Sequence, residues 1–180
     1  MKRSIFMLGL AAGLCSTVPT LAQGVPADRV DRTALINAAR EIMLKARYCA
    51  FITLDSDGSP QSREVDPFPP EEGMVVWLGT NPGTRKVAQI KRDPRVALSC
   101  IDGGGGGYIT LLGRAALVDS VAAKEEHWKE EWSPFYQDRN KGNDYLLIQI
   151  TPTRLEVVSY PHRIYNDPTT WAPASISFPR

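Results

Sequence analysis

Short apolar runs rich in β-formers, most of them joined by turns of hairpin length, make up the chain from residue 48 onward. The clearest turn is Asp57-Gly58, a dipeptide that favours a tight hairpin because glycine accepts a positive φ. Antiparallel neighbours need only such short connections, whereas parallel strands need a crossover of about a dozen residues or more. The pattern therefore predicts a mainly β fold, an antiparallel barrel or sandwich of six or seven strands with short helices.

The positions of the helices and strands follow from the spacing of apolar residues and turn signals. Leu35, Ala38 and Ile42 recur at helical spacing and predict an amphipathic helix near the start of the domain. A glycine-rich connection at residues 103–107 separates two of the strands. Predicted helices occupy residues 33–46, 84–92 and 120–131, and predicted strands occupy residues 48–54, 60–65, 74–78, 95–101, 108–118, 145–150 and 154–160.

Residues 1–22 have the pattern of a secretory signal peptide. Lys2 and Arg3 form a basic start, an apolar run follows, and a cleavage point lies after Ala22. The apolar run is shorter than the roughly 20 residues of a membrane anchor, and no twin arginine is present. We therefore expect export by the general secretory route to the periplasm or the medium. Cys15 leaves lipid attachment as an alternative, although the residue before it is larger than a lipoprotein signal prefers.

Without the signal peptide, 158 residues remain, enough for one domain with a substantial core. We expect a loose N-terminus over residues 23–31, a barrel domain over 32–160 and a C-terminal tail over 161–180 that packs on or near the barrel. The signal peptide carries two basic and no acidic residues, so the remaining chain has 19 basic against 20 acidic side chains, a net charge of −1. This balance gives no reason to expect nucleic acid as a partner.

The mature chain retains two cysteines and two histidines. Cys49 and Cys100 lie in apolar, strand-like surroundings, where buried free thiols are the usual state, but an oxidising compartment also permits a disulfide between them. The sequence leaves both states open. His127 lies among charged residues of the third predicted helix and is expected to be exposed. With so few histidines and no C-x-x-C motif, no metal site is predicted.

Residues 80–86 (Thr-Asn-Pro-Gly-Thr-Arg-Lys) indicate a binding site for an anion. Thr84 is suited to be the N-cap of the short second helix. The first turn of a helix exposes unpaired N–H groups and favours acidic residues, yet this one carries Arg85 and Lys86, each disfavoured by about 0.3–1 kcal/mol. A phosphate would remove the conflict, because hydroxyl, backbone N–H, guanidinium and ammonium groups can converge on it. Two solvated cations on a surface helix are the alternative.

Several segments resemble, in their order along the chain, one known family. They are QSREV at 61–65, TNPGTRK at 80–86, DPRVAL at 93–98, LGRA at 112–115, WSPFY at 132–136 and LLIQITP at 146–152. Together they are similar to the pyridoxamine 5′-phosphate oxidase-like family of FMN-binding split β-barrels, especially its general stress protein branch. The resemblance implies a six-to-seven-stranded antiparallel split barrel, FMN as the cofactor, and flavin-dependent oxidoreductase chemistry on an unidentified small molecule. It also implies a homodimer that shares the ligand site. Association of two barrels would also cover exposed strand edges, and residues 108–112 and 132–136 are our candidates for the centre of the interface.

The resemblance assigns roles to individual residues. The family holds the FMN phosphate with an arginine on the second strand and a Ser/Thr-Arg-Lys cluster at the helix start, while the residues just before that helix flank the flavin ring. Tyr108 stands where the oxidases carry a glutamine near the flavin. No catalytic residue is implied, because the flavin itself carries the electrons. In this chain the phosphate would be held by Arg63, Thr84, Arg85 and Lys86, and the ring would lie beside Gly79, Thr80 and Asn81.

Departures from the family pattern leave alternatives open. The oxidases carry an Arg-Leu-His-Asp-Arg segment that contacts substrate, whereas the tail here reads PHRIY at 161–165, so the resemblance does not extend to oxidation of pyridoxamine phosphate. A non-catalytic exported binding protein that kept the barrel and lost FMN is one alternative, and deazaflavin or haem as the ligand is another. The aromatic residues between 128 and 136 predict packing of the third helix on the barrel, with a lid over a flavin as the alternative.

Overall fold

The computed structural model describes residues 31–137 and 143–179. The predicted signal peptide, including Cys15, and residues 23–30 of the expected loose N-terminus lie outside the described residues. None of the described helices is long and apolar enough to cross a membrane. The helices are α1 (Arg32–Ala46), α2 (Arg85–Arg92) and α3 (Val121–Glu126), with 3₁₀ turns at Glu72–Met74 and Glu130–Trp132. The strands are β1 (Cys49–Leu54), β2 (Pro60–Val65), β3 (Val76–Thr80), β4 (Arg95–Asp102), β5 (Gly107–Val118), β6 (Leu146–Ser159) and β7 (Ala174–Ser177).

The described strands form one antiparallel sheet in the order β2-β1-β4-β5-β6-β3, and β7 also pairs with β6. The prediction of a mainly β, antiparallel fold is therefore confirmed. Strand β6 is 14 residues long and pairs with β5 along one edge. Along its other edge it pairs first with β3, opposite residues 146–150, and then with β7, opposite residues 154–157. The C-terminal tail thus contributes a strand to the sheet.

Helix α1 packs one apolar face on the sheet. Asp31 begins the helix, since its carboxylate accepts hydrogen bonds from backbone N–H groups of the first turn. Arg32 donates to the Ser177 carbonyl at 3.0 Å, and its guanidinium lies 4.8 Å from the centre of the Phe178 ring, so α1 is fastened to the last strand. The buried residues of α1 are Leu35, Ala38, Ala39, Ile42 and Met43, and they join a core that includes Phe51, Leu98, Ile109, Leu111, Ile148 and Leu155.

Two predicted element boundaries were wrong. The last two predicted strands are one continuous strand, β6. Pro152 is tolerated within it because Pro152 lies opposite Gly113, beside a β-bulge where the ladder is already interrupted. Helix α3 ends at Glu126 rather than near residue 131, because His127 leaves the helical conformation (φ −106°, ψ 63°) and its side chain is buried.

Cys49 and Cys100 form a disulfide between the adjacent strands β1 and β4. They occupy the register position next to the Ala50–Ser99 pair, and their Cα atoms are 4.5 Å apart. This is the spacing of opposed residues in an antiparallel pair that do not exchange hydrogen bonds. Of the two states that the sequence leaves open, the structure has the cross-linked one.

The barrel has a seam between β2 and β3, the two ends of the strand order. After β2 the chain turns back along β3, and the Phe68 N–H donates to the Trp77 carbonyl at 2.9 Å. Farther along, between Val65 on one side and Gly79 and Thr80 on the other, the two strands separate and enclose a cleft. The split in the barrel therefore creates a cleft that can hold a ligand.

Candidate functional site

The cleft at the seam of the barrel has a volume of about 670 Å³. Ligand sites of small molecules and cofactors range from about 300 to 1,000 Å³. Its walls come from the end of α1, the ends of β2 and β3, the start of α2, and the aromatic segment that follows α3. The lining residues are Arg47, Tyr48, Glu64, Val65, Asp66, Gly79, Thr80, Asn81, Thr84, Lys86, Glu131, Trp132, Phe135 and Tyr136.

The loop before α2 is held by its own polar groups. The Asn81 side chain accepts from the Gly83 N–H at 2.8 Å, and the Asn81 carbonyl accepts from the Thr84 hydroxyl at 2.9 Å. Thr84 occupies the N-cap position, as predicted, but its side chain makes no capping hydrogen bond to the helix. Its hydroxyl is turned toward the loop, so the side chain leaves the first-turn N–H groups of α2 uncapped.

Lys86 extends along the wall of the cleft to Thr80. Its Nζ donates to the Thr80 hydroxyl at 2.9 Å, and that hydroxyl lies 3.2 Å from the hydroxyl of Thr84. Burial lowers the pKa of Lys86, and the charge of Arg63 lowers it further. An ammonium group and two hydroxyls thus meet at one point of the cleft wall.

Arg63 faces inward from β2. Its guanidinium donates to the Thr53 hydroxyl at 2.6 Å and to Gln89 at 3.1 Å, so it is not a fully solvated surface charge. Burial lowers the pKa of Arg63, and the charge of Arg85 lowers it further. Neither Arg63 nor Arg85 lines the cleft itself. Arg63 lies close enough to both Arg85 and Lys86 for their positive charges to repel.

The three cations Arg63, Arg85 and Lys86 form a cluster without a carboxylate. Within residues 31–137 and 143–179, none of them makes an ion pair. Arg63 and Lys86 are partly buried, and Arg85 is exposed. Like charges at close range repel one another, and an anion bound among them would relieve that repulsion. The cluster adjoins the cleft at Lys86, beside the uncapped start of α2. The arrangement suits a phosphate or another compact anion.

Gly79 provides the floor on which the aromatic segment rests. A Cβ atom added there would lie 2.4 Å from Cζ3 of Trp132 and 2.8 Å from Cε2 of Tyr145, so only glycine permits this packing. Trp77, Tyr145 and Leu147 form a second apolar cluster with the rings of the segment, in agreement with the packing prediction. Among the described rings that line the cleft, Phe135 is the most exposed, at 74%.

The structure brings most of the predicted site residues together. Gly79, Thr80, Asn81, Thr84 and Lys86 line the cleft, and the two predicted arginines stand beside it. Tyr108 is elsewhere: it lies on β5 between Ile101 and Val158 and does not line the cleft of its own chain.

Sequence reasoning missed Thr53, Gln89 and Arg47. The first two surround Arg63, and their local signals were weak: Gln89 lies one turn after Arg85 on α2, and Thr53 is a polar residue on the buried side of β1. Arg47 lines the cleft from a strained backbone conformation (φ 55°, ψ −58°), in which the Tyr48 N–H donates to the Ala46 carbonyl at 2.6 Å. The sequence around Arg47 contains no pattern that predicts this turn.

The prediction that His127 is exposed was wrong. His127 is 5% exposed, its Nε2 lies 2.9 Å from Oε1 of Glu71, and its ring stacks on Trp77 with 4.2 Å between ring centres. These partners come from the chain around β3, more than 40 residues earlier, and hold the start of the aromatic segment in place. In the described part of the chain, no group of three or more His, Cys, Asp or Glu side chains is arranged to hold a metal ion.

The sequence matches a family of known proteins. The family model described as pyridoxamine 5′-phosphate oxidase matches residues 35–159. General stress protein 26 of Bacillus subtilis (strain 168) is 23% identical over 106 residues, which are 57% of this chain and 73% of that protein.

Two solved structures show the same architecture. A protein related to general stress protein 26 from Clostridium acetobutylicum, of the pyridoxinephosphate oxidase family, is similar with a TM-score of 0.64 and 21% identity, covering 73% of this chain and 92% of that one. A pyridoxamine 5′-phosphate oxidase-related, FMN binding protein from Nostoc punctiforme is similar with a TM-score of 0.55 and 14% identity, covering 83% and 96%. At these identities the structural likeness shows the split-barrel fold alone, whereas the family model spans more than half of the chain. The chain therefore belongs to the pyridoxamine 5′-phosphate oxidase family.

Proposed function

We propose that this protein binds FMN in the cleft at the barrel seam and acts as a flavin-dependent oxidoreductase on a small molecule. The observation that carries the proposal is the cluster of Arg63, Arg85 and Lys86, which has no carboxylate partner in the described chain and adjoins a cleft of about 670 Å³. Three neighbouring cations, of which Arg63 and Lys86 are partly buried, favour a dianionic group such as the FMN phosphate. The name of the Nostoc punctiforme relative supports FMN in particular.

The cleft and the two arginines beside it fit the two chemical parts of FMN. Arg63, Thr84, Arg85 and Lys86 would hold the phosphate, and the wall formed by 79–81 would lie along the flavin ring. The rings of the aromatic segment that line the cleft supply an apolar surface that excludes water. The bound flavin would accept and donate the electrons, while the protein orients it and its substrate.

Titration of the apoprotein with FMN, followed by flavin fluorescence, tests the proposal. Arg85→Ala and Lys86→Ala should each weaken binding by about 1.5–3 kcal/mol, the usual contribution of a charge-assisted hydrogen bond. Lys91→Ala removes an exposed cation from the same helix and should leave the affinity unchanged. A folded protein that fails to bind FMN at micromolar concentration would overturn the proposal.

One observation favours a second candidate, a non-catalytic binding protein that kept the barrel and lost FMN. The Trp132 ring packs directly on Gly79, the surface that the family resemblance assigns to the flavin ring. If this packing is permanent, it competes with the ring for the same face. The absorbance spectrum of protein purified from its native compartment separates the two candidates: flavin bands support the first, and a colourless protein that takes up no FMN supports the second.

We also propose that the protein is a homodimer. Three large apolar side chains at or beside the rim of the cleft are exposed in the single chain: Leu44 at 62%, Tyr48 at 47% and Phe135 at 74%. A second copy would cover them, and Tyr108 would reach a shared site only through such a partner. Light scattering of the mature protein with FMN should give the dimer mass, and a monomer across micromolar concentrations would contradict this.

Export to an oxidising compartment is the third part of the proposal. The Cys49–Cys100 disulfide supports it, because such bonds persist outside the reducing cytoplasm. Cell fractionation should recover a shortened chain outside the cytoplasm. Full-length protein in the cytoplasmic fraction would contradict export.

A further inference from the structure

A buried polar network surrounds Arg63 and joins β1, β2 and α2. Thr53 is fully buried, and Gln89 is 3% exposed. The Thr53 hydroxyl donates to Oε1 of Gln89 at 2.5 Å. Arg63 Nη1 donates to Thr53 Oγ1 at 2.6 Å, and Arg63 Nη2 donates to Gln89 Oε1 at 3.1 Å. The end of the guanidinium therefore meets two oxygens that are already hydrogen-bonded to each other.

The chemistry of its members gives this network one consistent set of donors and acceptors. The Arg63 guanidinium can only donate, so Thr53 accepts from it and uses its single proton toward Gln89. Gln89 must then present its carbonyl oxygen, rather than its amide nitrogen, to both neighbours. Because any reorientation would leave a buried polar group unpaired, the network holds the guanidinium in one position.

The same network leaves one edge of the guanidinium free. Nη1 of Arg63 also donates to the Phe51 carbonyl at 3.2 Å, so three of its five N–H groups are used. The other two, Nε–H and the second Nη2–H, have no hydrogen-bond acceptor among the described residues. They lie on the same side of the planar group, which is the geometry of a bidentate bond to two oxygens of a phosphate or carboxylate.

We infer that Thr53 and Gln89 are positioning residues, which hold Arg63 with its Nε–Nη2 edge presented to the phosphate of the ligand. The inference rests on the proposed FMN function and extends it to two residues that do not line the cleft. Without these acceptors Arg63, which the charge of Arg85 repels, would turn toward solvent and away from the other cations. The network thus prepares the cation cluster before the anion arrives, which reduces the ordering that binding requires.

Comparison of FMN with riboflavin tests this inference, because riboflavin has the same ring and no phosphate. Thr53→Val and Gln89→Leu should each weaken FMN binding by about tenfold, the effect expected for losing an oriented, charge-assisted contact. Their affinity for riboflavin should change by less than about twofold. Thr53→Ser keeps the hydroxyl and should restore FMN binding. Thr153→Val removes an exposed threonine hydroxyl on β6 and serves as the matched control.

The outcomes are distinguishable. Equal losses for FMN and riboflavin would show a general structural role and overturn the inference, as would FMN affinities unchanged in both variants. Failure of the wild-type protein to bind FMN would overturn the proposed function itself, and the inference with it. Thermal unfolding of each variant shows whether a loss reflects misfolding, and Gln89→Leu on the helix provides the test if Thr53→Val does not fold.

Discussion

Removing the disulfide by the double substitution Cys49→Ala and Cys100→Ala should lower the free energy of unfolding by about 4 kcal/mol. The bond joins residues separated by 51 positions. Closing a loop of that length removes about 14 cal/mol/K of entropy from the unfolded chain, which corresponds to about 4 kcal/mol at 25 °C. Both sulfur atoms are buried, so lost packing adds to this value rather than offsetting it.

The single variants give the sharper test. Each substitution alone removes the same cross-link, so Cys49→Ala and Cys100→Ala should each cost nearly as much as the double substitution. Urea denaturation followed by circular dichroism measures all three, and the slope m should rise because the unfolded chain becomes less compact. Val96→Ala truncates another buried side chain on β4 without touching the bond, and its cost should add to that of Cys49→Ala.

Two results would refute this reasoning. If the costs of the two cysteine substitutions add, they act as separate packing changes and no cross-link is lost. If the double substitution costs less than about 1 kcal/mol, the loop-closure argument fails. A thiol titration of the denatured wild-type protein, without reductant, should find no free thiol from either cysteine.

Three further predictions concern the site and its surroundings. Gly79→Ala should destabilise the fold by about 1–3 kcal/mol in urea denaturation, because its Cβ would overlap the indole ring packed there, whereas Gly103→Ala has open space around it and should be neutral. FMN affinity should fall as the pH rises through the pKa of Lys86, which burial and the charge of Arg63 lower. In fluorescence titrations, Lys86→Arg should move that fall to higher pH, because arginine stays protonated. If the pH profile does not move, Lys86 is not the group whose charge controls binding. The Asp93 carboxyl should titrate near pH 2 by NMR, because its hydrogen bond from Arg95 lowers its pKa to about 2. The stability that this carboxylate contributes is present above its pKa in the unfolded chain and is lost as the pH falls toward 2. Arg95→Gln should raise the pKa of Asp93, and an unchanged pKa would contradict this assignment.

The parts of the fold that depend on residues close together in the sequence could be predicted. The spacing of Leu35, Ala38 and Ile42 predicted α1 and its buried face, and Asp57-Gly58 predicted the hairpin between β1 and β2. The continuity of β6 could not, because Pro152 breaks a strand when it is read alone. The β-bulge beside Pro152 becomes visible only when β6 is paired with β5, about 40 residues earlier: Leu112 lies opposite Arg154 and Gly113 opposite Pro152, so Thr153 has no partner in the ladder.

The candidate site also has one part that the sequence predicts and another that only the folded chain shows. Residues 80–86 are contiguous, so their hydroxyls and cations could be read as one anion-binding segment. Thr53, Arg63 and Gln89 meet only when β1, β2 and α2 pack together, and no local pattern marks a buried threonine as the partner of a distant arginine. His127 shows the same limit, since its charged neighbours in sequence suggested exposure while Glu71, 56 residues away, supplies its partner.

The contact between α1 and β7 determines when the domain can finish folding. Arg32 and Ser177 are 145 positions apart, yet they are hydrogen-bonded, and the buried face of α1 packs against β4, β5, β6 and β7. A chain that is made, or passed through a membrane, from its N-terminus cannot complete this layer until residue 178 has emerged. The part of the apolar face of α1 that β7 covers stays exposed through that interval, so slow delivery of the last residues prolongs its exposure to aggregation and proteolysis.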